Sequence, residues 1–229
     1  MRLHFGKDFL DLIFPRTCDL CGRSLFENEK SLCRICIGLL PKANYHLRPW
    51  DNELSQKVMG LTEVGRVLSF LRFSKFGKSQ KVLHRLKYKN KPALAMELGE
   101  LYSQILKNHN IDDWDYIVPV PLHRLKKKRR GYNQSEEFAK GLGINLNATL
   151  LLALERLKFT ETQTKKTRLQ RLQNVSSVFS VSKMINISES SLLLVDDVMT
   201  TGATLSECSN VLLAAGAKKV DLVTIAAGN

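Results

Sequence analysis

The chain has 229 residues, of which 44% are hydrophobic and 25% charged, a composition for one folded domain with a small appendage that excludes a disordered chain. Lys plus Arg is 35 against 22 Asp plus Glu, a formal charge of +13 that points to polyanionic partners: nucleic acid, phosphorylated ligands or an acidic membrane surface. No apolar run approaches the ~18 residues of a membrane-spanning helix, and five cysteines, four of them clustered, do not make a secreted disulfide scaffold.

The N-terminal stretch reads as mature chain with no secretory signal, and a cytoplasmic protein is the simplest expectation. Phe5, Phe9, Leu12 and Ile13 fall on one helical face, which suits a short helix packed on the body or transient membrane contact. Residues 1–50 then carry three prolines and little periodicity, too short to bury a core of their own. Within them, Cys18-x-x-Cys21 and Cys33-x-x-Cys36 are separated by eleven residues. Each C-x-x-C turn puts two sulfurs on one side of a tight loop, and two facing turns offer a tetrahedron of thiolates at about 2.3 Å from a zinc ion. Four protein ligands leave no open position, so the expected site is structural, of treble-clef or ribbon type, and its binding energy is folding energy. The competing reading is a set of free or redox-active thiols.

Residues 51–110 read as a helical connecting region. In 93–106, Leu94, Leu98, Leu101, Tyr102 and Ile105 recur at helical spacing behind Pro92. Residues 111–229 alternate short apolar runs with helical patterns, the mark of a mostly parallel α/β sheet flanked by helices. Strands are expected at Tyr116–Val120, Leu152–Leu157, Val178–Val181, Leu192–Val195 and Val220–Ile225. Asn133 and Glu136 have the spacing of a helix start, and Cys208 sits at core spacing with Leu205, Leu212 and Ala215.

The most informative stretch is residues 192–204. The apolar run Leu192–Val195 ends in Asp196 and Asp197, followed by Val198, Met199, Thr200, Thr201, Gly202, Ala203 and Thr204, and then a helical pattern closed by Gly216. A small, polar loop at a helix N-terminus suits a phosphate, because backbone N–H groups and the helix dipole both face it. The two acids would repel that phosphate and make sense facing ribose hydroxyls or a bound Mg²⁺. Thr204 with Glu207 also has capping-box spacing, which needs no ligand.

Three basic clusters stand out. One runs from Arg124 through Lys126, Lys127, Lys128, Arg129 and Arg130, between a strand end and a helix start. A second is Lys158, Lys165, Lys166, Arg168 and Arg171. A third surrounds Lys75, Lys78, Lys81, Arg85, Lys87, Lys89 and Lys91, with Phe73, Phe76 and Tyr88 between them. Cations interleaved with aromatics suit single-stranded nucleic acid, with charge along the backbone and rings on the bases. A solvated basic surface is the other reading.

The segment V-D-D-V-M-T-T-G-A-T (195–204) resembles the signature with which type I phosphoribosyltransferases bind phosphoribosyl pyrophosphate (PRPP). With the two C-x-x-C pairs after Phe14-Pro15-Arg16, Leu86-Lys87-Tyr88, Val118–Leu122, Arg130-Gly-Tyr-Asn-Gln134 and Arg171–Phe179, the whole chain is similar to the ComF (ComFC) family of competence proteins. That resemblance implies a phosphoribosyltransferase-like domain behind a zinc module, and a role in DNA uptake beside other uptake proteins at the inner membrane without being integral to it. It implies that Asp196 and Asp197 hold the ribose hydroxyls of PRPP near Mg²⁺ and act as the catalytic acids. Residues 200–204 cradle the 5′-phosphate, with Val198 and Met199 in the same turn. Pro121 opens the pyrophosphate loop, and Lys158–Asn174 form a hood in which Lys158 stands where the family often has Arg. Whether such a chain turns over, as a transferase on a base or amine, stays open at this point. Lys126–Arg130, Lys87 and Tyr88 are the expected single-stranded DNA contacts.

Overall fold

A computed structural model describes residues 15–156 and 178–228. The expected N-terminal helix around Phe5–Ile13 and the hood with its basic cluster lie outside the described residues.

Five parallel strands form the central sheet: β1 (Val67–Arg72), β2 (Tyr116–Pro119), β3 (Thr149–Leu150), β6 (Ser191–Met199) and β7 (Lys219–Ala227). They lie in the order β1-β7-β6-β2-β3. A separate antiparallel pair joins β4 (Leu154–Arg156) to β5 (Phe179–Val181). Helices α1 (Arg34–Gly38) and α2 (Glu53–Val58) precede and α3 (Lys78–Tyr88) and α4 (Pro92–Asn108) follow β1, α5 (Arg124–Arg130) and α6 (Gln134–Leu142) come between β2 and β3, and α7 (Ala203–Ala214) joins β6 to β7.

Alternation along β6 divides the core in two. Leu193 and Val195 face one side with Phe70, Leu86, Leu98, Tyr102 and Phe138. Leu192 and Leu194 face the other with Leu54, Val58, Leu205, Cys208 and Leu212. Side chains of successive strand residues point to opposite faces, so a parallel sheet covered on both sides needs an unbroken apolar run. Leu192–Val195 supplies it.

Two expectations are corrected here. Residues 51–110 are not helical throughout, because 67–72 form β1, which pairs along β7 from Val67↔Leu222 to Arg72↔Ala227. Val67-Leu-Ser-Phe-Leu71 is buried on both faces and shows no period-2 alternation to mark it as a strand. The runs at 152–157 and 178–181 do form strands, but with each other and outside the central sheet; residue 157 lies outside the described residues. The other expected strands lie in the sheet, and Pro92 stands at the first position of α4 as expected. Leu94, Leu98 and Tyr102 of that helix are buried, and Cys208 is a core residue.

The cysteine segment does not stand alone. Residues 41–43 run along the outer edge of β1, where Ala43 N–H donates to Phe70 O at 2.8 Å and Arg72 N–H to Pro41 O at 2.8 Å. A sheet edge otherwise open to other chains is thereby covered. On the other side, buried Glu97 of α4 accepts from the N–H groups of Ser31 (2.8 Å) and Leu32 (3.1 Å), just ahead of Cys33. Burial raises the Glu97 carboxyl from its ordinary range, against the pull of those two donors.

Helices α4 and α6 cross at two glycines. A Cβ on Gly141 would stand 2.0 Å from Met96 O, and one on Gly99 would stand 2.2 Å from Phe138 O. Both obstacles are backbone, so an added methyl must push the helices apart. Gly141→Ala is expected to destabilise the fold by about 1–3 kcal/mol, the range for overpacking a tight interior. Thermal unfolding by circular dichroism should show the midpoint lower by several degrees.

Candidate functional site

The site forms where β6 runs out of the core. Near its end Asp196, Asp197 and Val198 are half-buried, a buried Met199 closes the strand, and the chain then turns at Gly202 into α7. Gly202 has φ 81°, the left-handed region in which a Cβ is strained, and a Cβ there would also lie 2.7 Å from Val58 Cγ1. The helix start carries no side-chain cap from Gly202; Thr201 Oγ1 reaches Ala203 N at 3.4 Å. The capping-box reading of Thr204 and Glu207 is therefore corrected. The helix starts one residue before Thr204, and the Glu207 carboxylate accepts from Val178 N–H at 2.6 Å. After Ala203, the first-turn amides keep the outward donors that an α-helix leaves unsatisfied. Residues 196 and 198–205 line one small pocket, so the structure brings Asp196 and the expected phosphate loop together, while Asp197 is not among the lining residues.

The two acids differ in their partners. Asp196 Oδ1 accepts from Ser135 Oγ at 3.0 Å and from Asp197 N at 2.8 Å. Burial, and then the neighbouring Asp197 charge, push its carboxyl up to about 7. Asp197 Oδ2 instead lies 3.0 Å from the ammonium of Lys87.

Lys87 was expected on the DNA-binding surface, and it sits in this site. Two sequence motifs meet to put it there. Tyr132 Oη donates to Leu86 O at 2.7 Å, and Gln134 Nε2 donates to the same carbonyl at 3.2 Å. The 130–134 motif thus clamps the end of α3 and holds Lys87 toward Asp197. Ser135 and Lys87 are site residues that sequence reading missed as such; the adjacency of each to one of those motifs was the available signal.

The remaining expected residues lie around this centre. Pro121 follows β2, whose register against β6 pairs Pro119 with Val195. It opens a groove of about 660 Å³ lined also by Leu122, His123, Arg124, Leu125, Lys128, Glu155 and Arg156. The basic run 124–130, read as part of a connection, is helix α5, with the imidazole of exposed His123 accepting from Leu125 N at 3.3 Å. None of α5 is buried. Lys127 faces Glu136 at 3.7 Å and Arg130 donates to Gln134 at 2.7 Å, while Lys126, Lys128 and Arg129 have no side-chain partner among the described residues. Asn133 caps α6 by accepting from Ser135 N, as its spacing predicted. Tyr88 is exposed, its ring tilted against His84 at 4.9 Å.

The four cysteine sulfurs lie within 4.8 Å of one another, with Cys18, Cys33 and Cys36 buried and Cys21 exposed. The Cys21–Cys33 separation of 3.7 Å matches the edge of a tetrahedron built at zinc–sulfur distances of about 2.3 Å. Burial works to raise the Cys18 thiol, but donors from Cys21, Cys33 and Leu20 outweigh it and hold it at about 7; burial pushes Cys36 up. The geometry fits a closed site for a metal such as zinc, with all four positions filled by protein.

This fold and site define a phosphoribosyltransferase-type protein with a four-cysteine module. The phosphoribosyl transferase domain model matches residues 84–229, and the chain belongs to that family. Competence protein F of Haemophilus influenzae is 32% identical over 62% of this chain and 64% of its own length, so the chain spans under two thirds of that relative. DNA utilization protein YhgH of Escherichia coli O157:H7 is 27% identical over 90% of this chain and 87% of its own. Competence protein ComFC of Bacillus subtilis is 25% identical over 90% and 75%. The resemblance read from the motifs is thus the one these relatives carry: the protein is a member of the phosphoribosyltransferase family that is similar to proteins named for competence and DNA utilization. Among the described residues, no helix is long and apolar enough to cross a membrane.

Two outcomes are expected from this geometry. A carboxyl raised by the fold binds its proton more tightly in the native state, so stability falls as pH rises from the ordinary Asp range to about 7. Asp196→Asn removes that loss; ligand-free, the variant should unfold above wild type at pH 8, with the difference closing toward pH 4 in thermal scans. For the cysteine cluster, metal analysis of purified chain should find one zinc per molecule. Cys36→Ser should lose it and lower the unfolding midpoint, because metal binding to such sites is folding energy.

Proposed function

We propose that this chain binds PRPP with Mg²⁺ at the β6–α7 turn, associates with single-stranded DNA, and supports DNA uptake in natural transformation. The observation that carries the reading is a helix start with glycine at its N-cap and only the long Thr201 contact on its first amide, reached through the left-handed turn at Gly202 and following two carboxylates near the end of a buried strand. A 5′-phosphate would take the outward amides of α7 and the hydroxyls of Thr200, Thr201 and Thr204. Asp196 and Asp197 would accept from the ribose hydroxyls, with Lys87 balancing their charge.

Mg²⁺ prefers carboxylate, water and phosphate oxygens, and the Asp196–Asp197 pair offers that donor chemistry. When bound it would supply neutralisation of the pyrophosphate charge. The chain's own residues position the sugar, and the basic helix α5 stands near the turn after Pro121 to receive anionic groups. In DNA uptake, a surplus of +13 would hold the strand electrostatically. The names of the relatives, competence and DNA utilization proteins, support this assignment. The place of action we assign is the cytoplasm, peripheral to the inner membrane and beside other uptake proteins.

A second reading, a transferase acting on a base or amine, is favoured by one observation: the groove of about 660 Å³ that opens at Pro121 has room for an acceptor. Pyrophosphate release across a panel of nucleobases and amines separates the two; sustained release with one acceptor establishes the transferase.

Isothermal titration with PRPP, with and without Mg²⁺, tests the first reading. Wild type should bind, more tightly with Mg²⁺. Gly202→Ala should lose at least tenfold in affinity, because the turn cannot keep its conformation, and Asp197→Asn should weaken binding less. A wild-type chain that gives no heat under either condition would overturn the assignment.

A further inference from the structure

Helix α3 carries Lys87 into the candidate site and also forms one wall of a second, unassigned groove. That groove is about 660 Å³ and lies between the helix and the cysteine module, whose Leu20 lines it. Its other lining residues are Phe76, Gly77, Gln80, Lys81, His84, Arg85 and Lys89, with no acid among them. None of Lys81, Arg85 and Lys89 forms an ion pair with another described residue. Asp19, next to Leu20 in the chain, is held by Lys91 at 2.9 Å.

Phe76 is the anomaly. Its ring is 92% exposed, so it gains nothing from burial. Its backbone stands at φ 61°, a region where a bulky side chain is strained. Gln80 holds it there, its side-chain oxygen accepting from Phe76 N–H at 2.5 Å. Strain kept without packing in return is a mark of function. Beside it the His84 and Tyr88 rings lie 4.9 Å apart on one face of α3, with Tyr88 61% exposed. Bare rings at the rim and unpaired cations along the wall are the two parts of a single-strand track: rings for bases, cations for the backbone.

We propose that this groove is the single-stranded DNA site, with Phe76 as a base-stacking platform and Lys81, Arg85 and Lys89 on the phosphates. The proposal rests on the DNA-binding part of the function given above and locates it at the groove beside the cysteine module, not on the helix of cations at Arg124–Arg130. Duplex DNA, whose bases are already stacked, offers Phe76 no face, so the site discriminates for single strands.

The test is fluorescence anisotropy of the full chain with a labelled oligo-dT strand and a labelled duplex, across a salt series. Wild type should prefer the single strand. Phe76→Ala should weaken single-strand binding about 5- to 150-fold, the loss of one stacked base, with the salt slope unchanged, and Phe76→Trp should retain it. The triple variant Lys81→Ala, Arg85→Ala, Lys89→Ala should flatten the log–log salt dependence by about 2, at ~0.7 per phosphate. Phe76→Gly, which relieves the left-handed strain, should match or exceed the wild-type unfolding midpoint while still losing affinity, separating a lost contact from a lost fold. If the groove variants bind as wild type does, the proposal is overturned. The same holds if Lys126→Ala, Lys128→Ala, Arg129→Ala alone removes binding, although the DNA-binding reading then stands. A wild-type chain blind to the oligonucleotide sinks both.

Discussion

A buried strand that carries two acids near its end, followed after three residues by a helix start, is possible only because Gly202 takes a left-handed turn against Val58. Any side chain there would meet the α2 residue and strain the backbone at once. With glycine, the strand delivers Asp196 and Asp197 to the carboxyl edge of the sheet and the first turn of α7 faces the same space. Open α/β sheets bind ligands at that edge because loops and helix starts converge there. The strand must first be fixed, and it is: β6 pairs with β7 on one side and β2 on the other, and both its faces are buried.

The second constraint is how a segment without a core becomes ordered. Residues 15–50 borrow one. Cys18, Leu32, Cys33, Cys36 and Leu40 belong to the same buried cluster as Leu94, Leu98 and Tyr102. Residues 41–43 cover the edge of β1, and Glu97 receives the backbone ahead of Cys33. The sulfur cluster therefore joins the body through a helix and a strand, and α3 connects that region to Lys87 and Asp197.

Motif chemistry was largely legible in the residues. The four-cysteine cluster, the acid pair, the strand–turn–helix around Gly202 and the Asn133 cap depend on short spacings, and short spacings survive folding. The element 67–72 was not legible, because a strand buried on both faces and a buried helix segment present the same apolar run. Nor was α5, since a run of cations carries no apolar period. The Thr204–Glu207 spacing, the alternative capping-box reading, forms no cap, because Glu207 accepts from Val178 N–H just ahead of β5. Lys87 was taken for a surface cation because nothing local says which way it points.

By itself the sequence determined the chemistry available: four sulfurs spaced to hold a metal, a helix start suited to phosphate, two acids just ahead of it and a large excess of cations. Those follow from residue type and near-neighbour spacing, which backbone geometry converts directly into local structure. Only the tertiary structure decided which cation meets which acid, that Tyr132 and Gln134 anchor α3 at Leu86, and that an exposed Phe76 overlooks a groove at the cysteine module. These are contacts between residues tens of positions apart, set by sheet order and helix packing, and no local pattern encodes them.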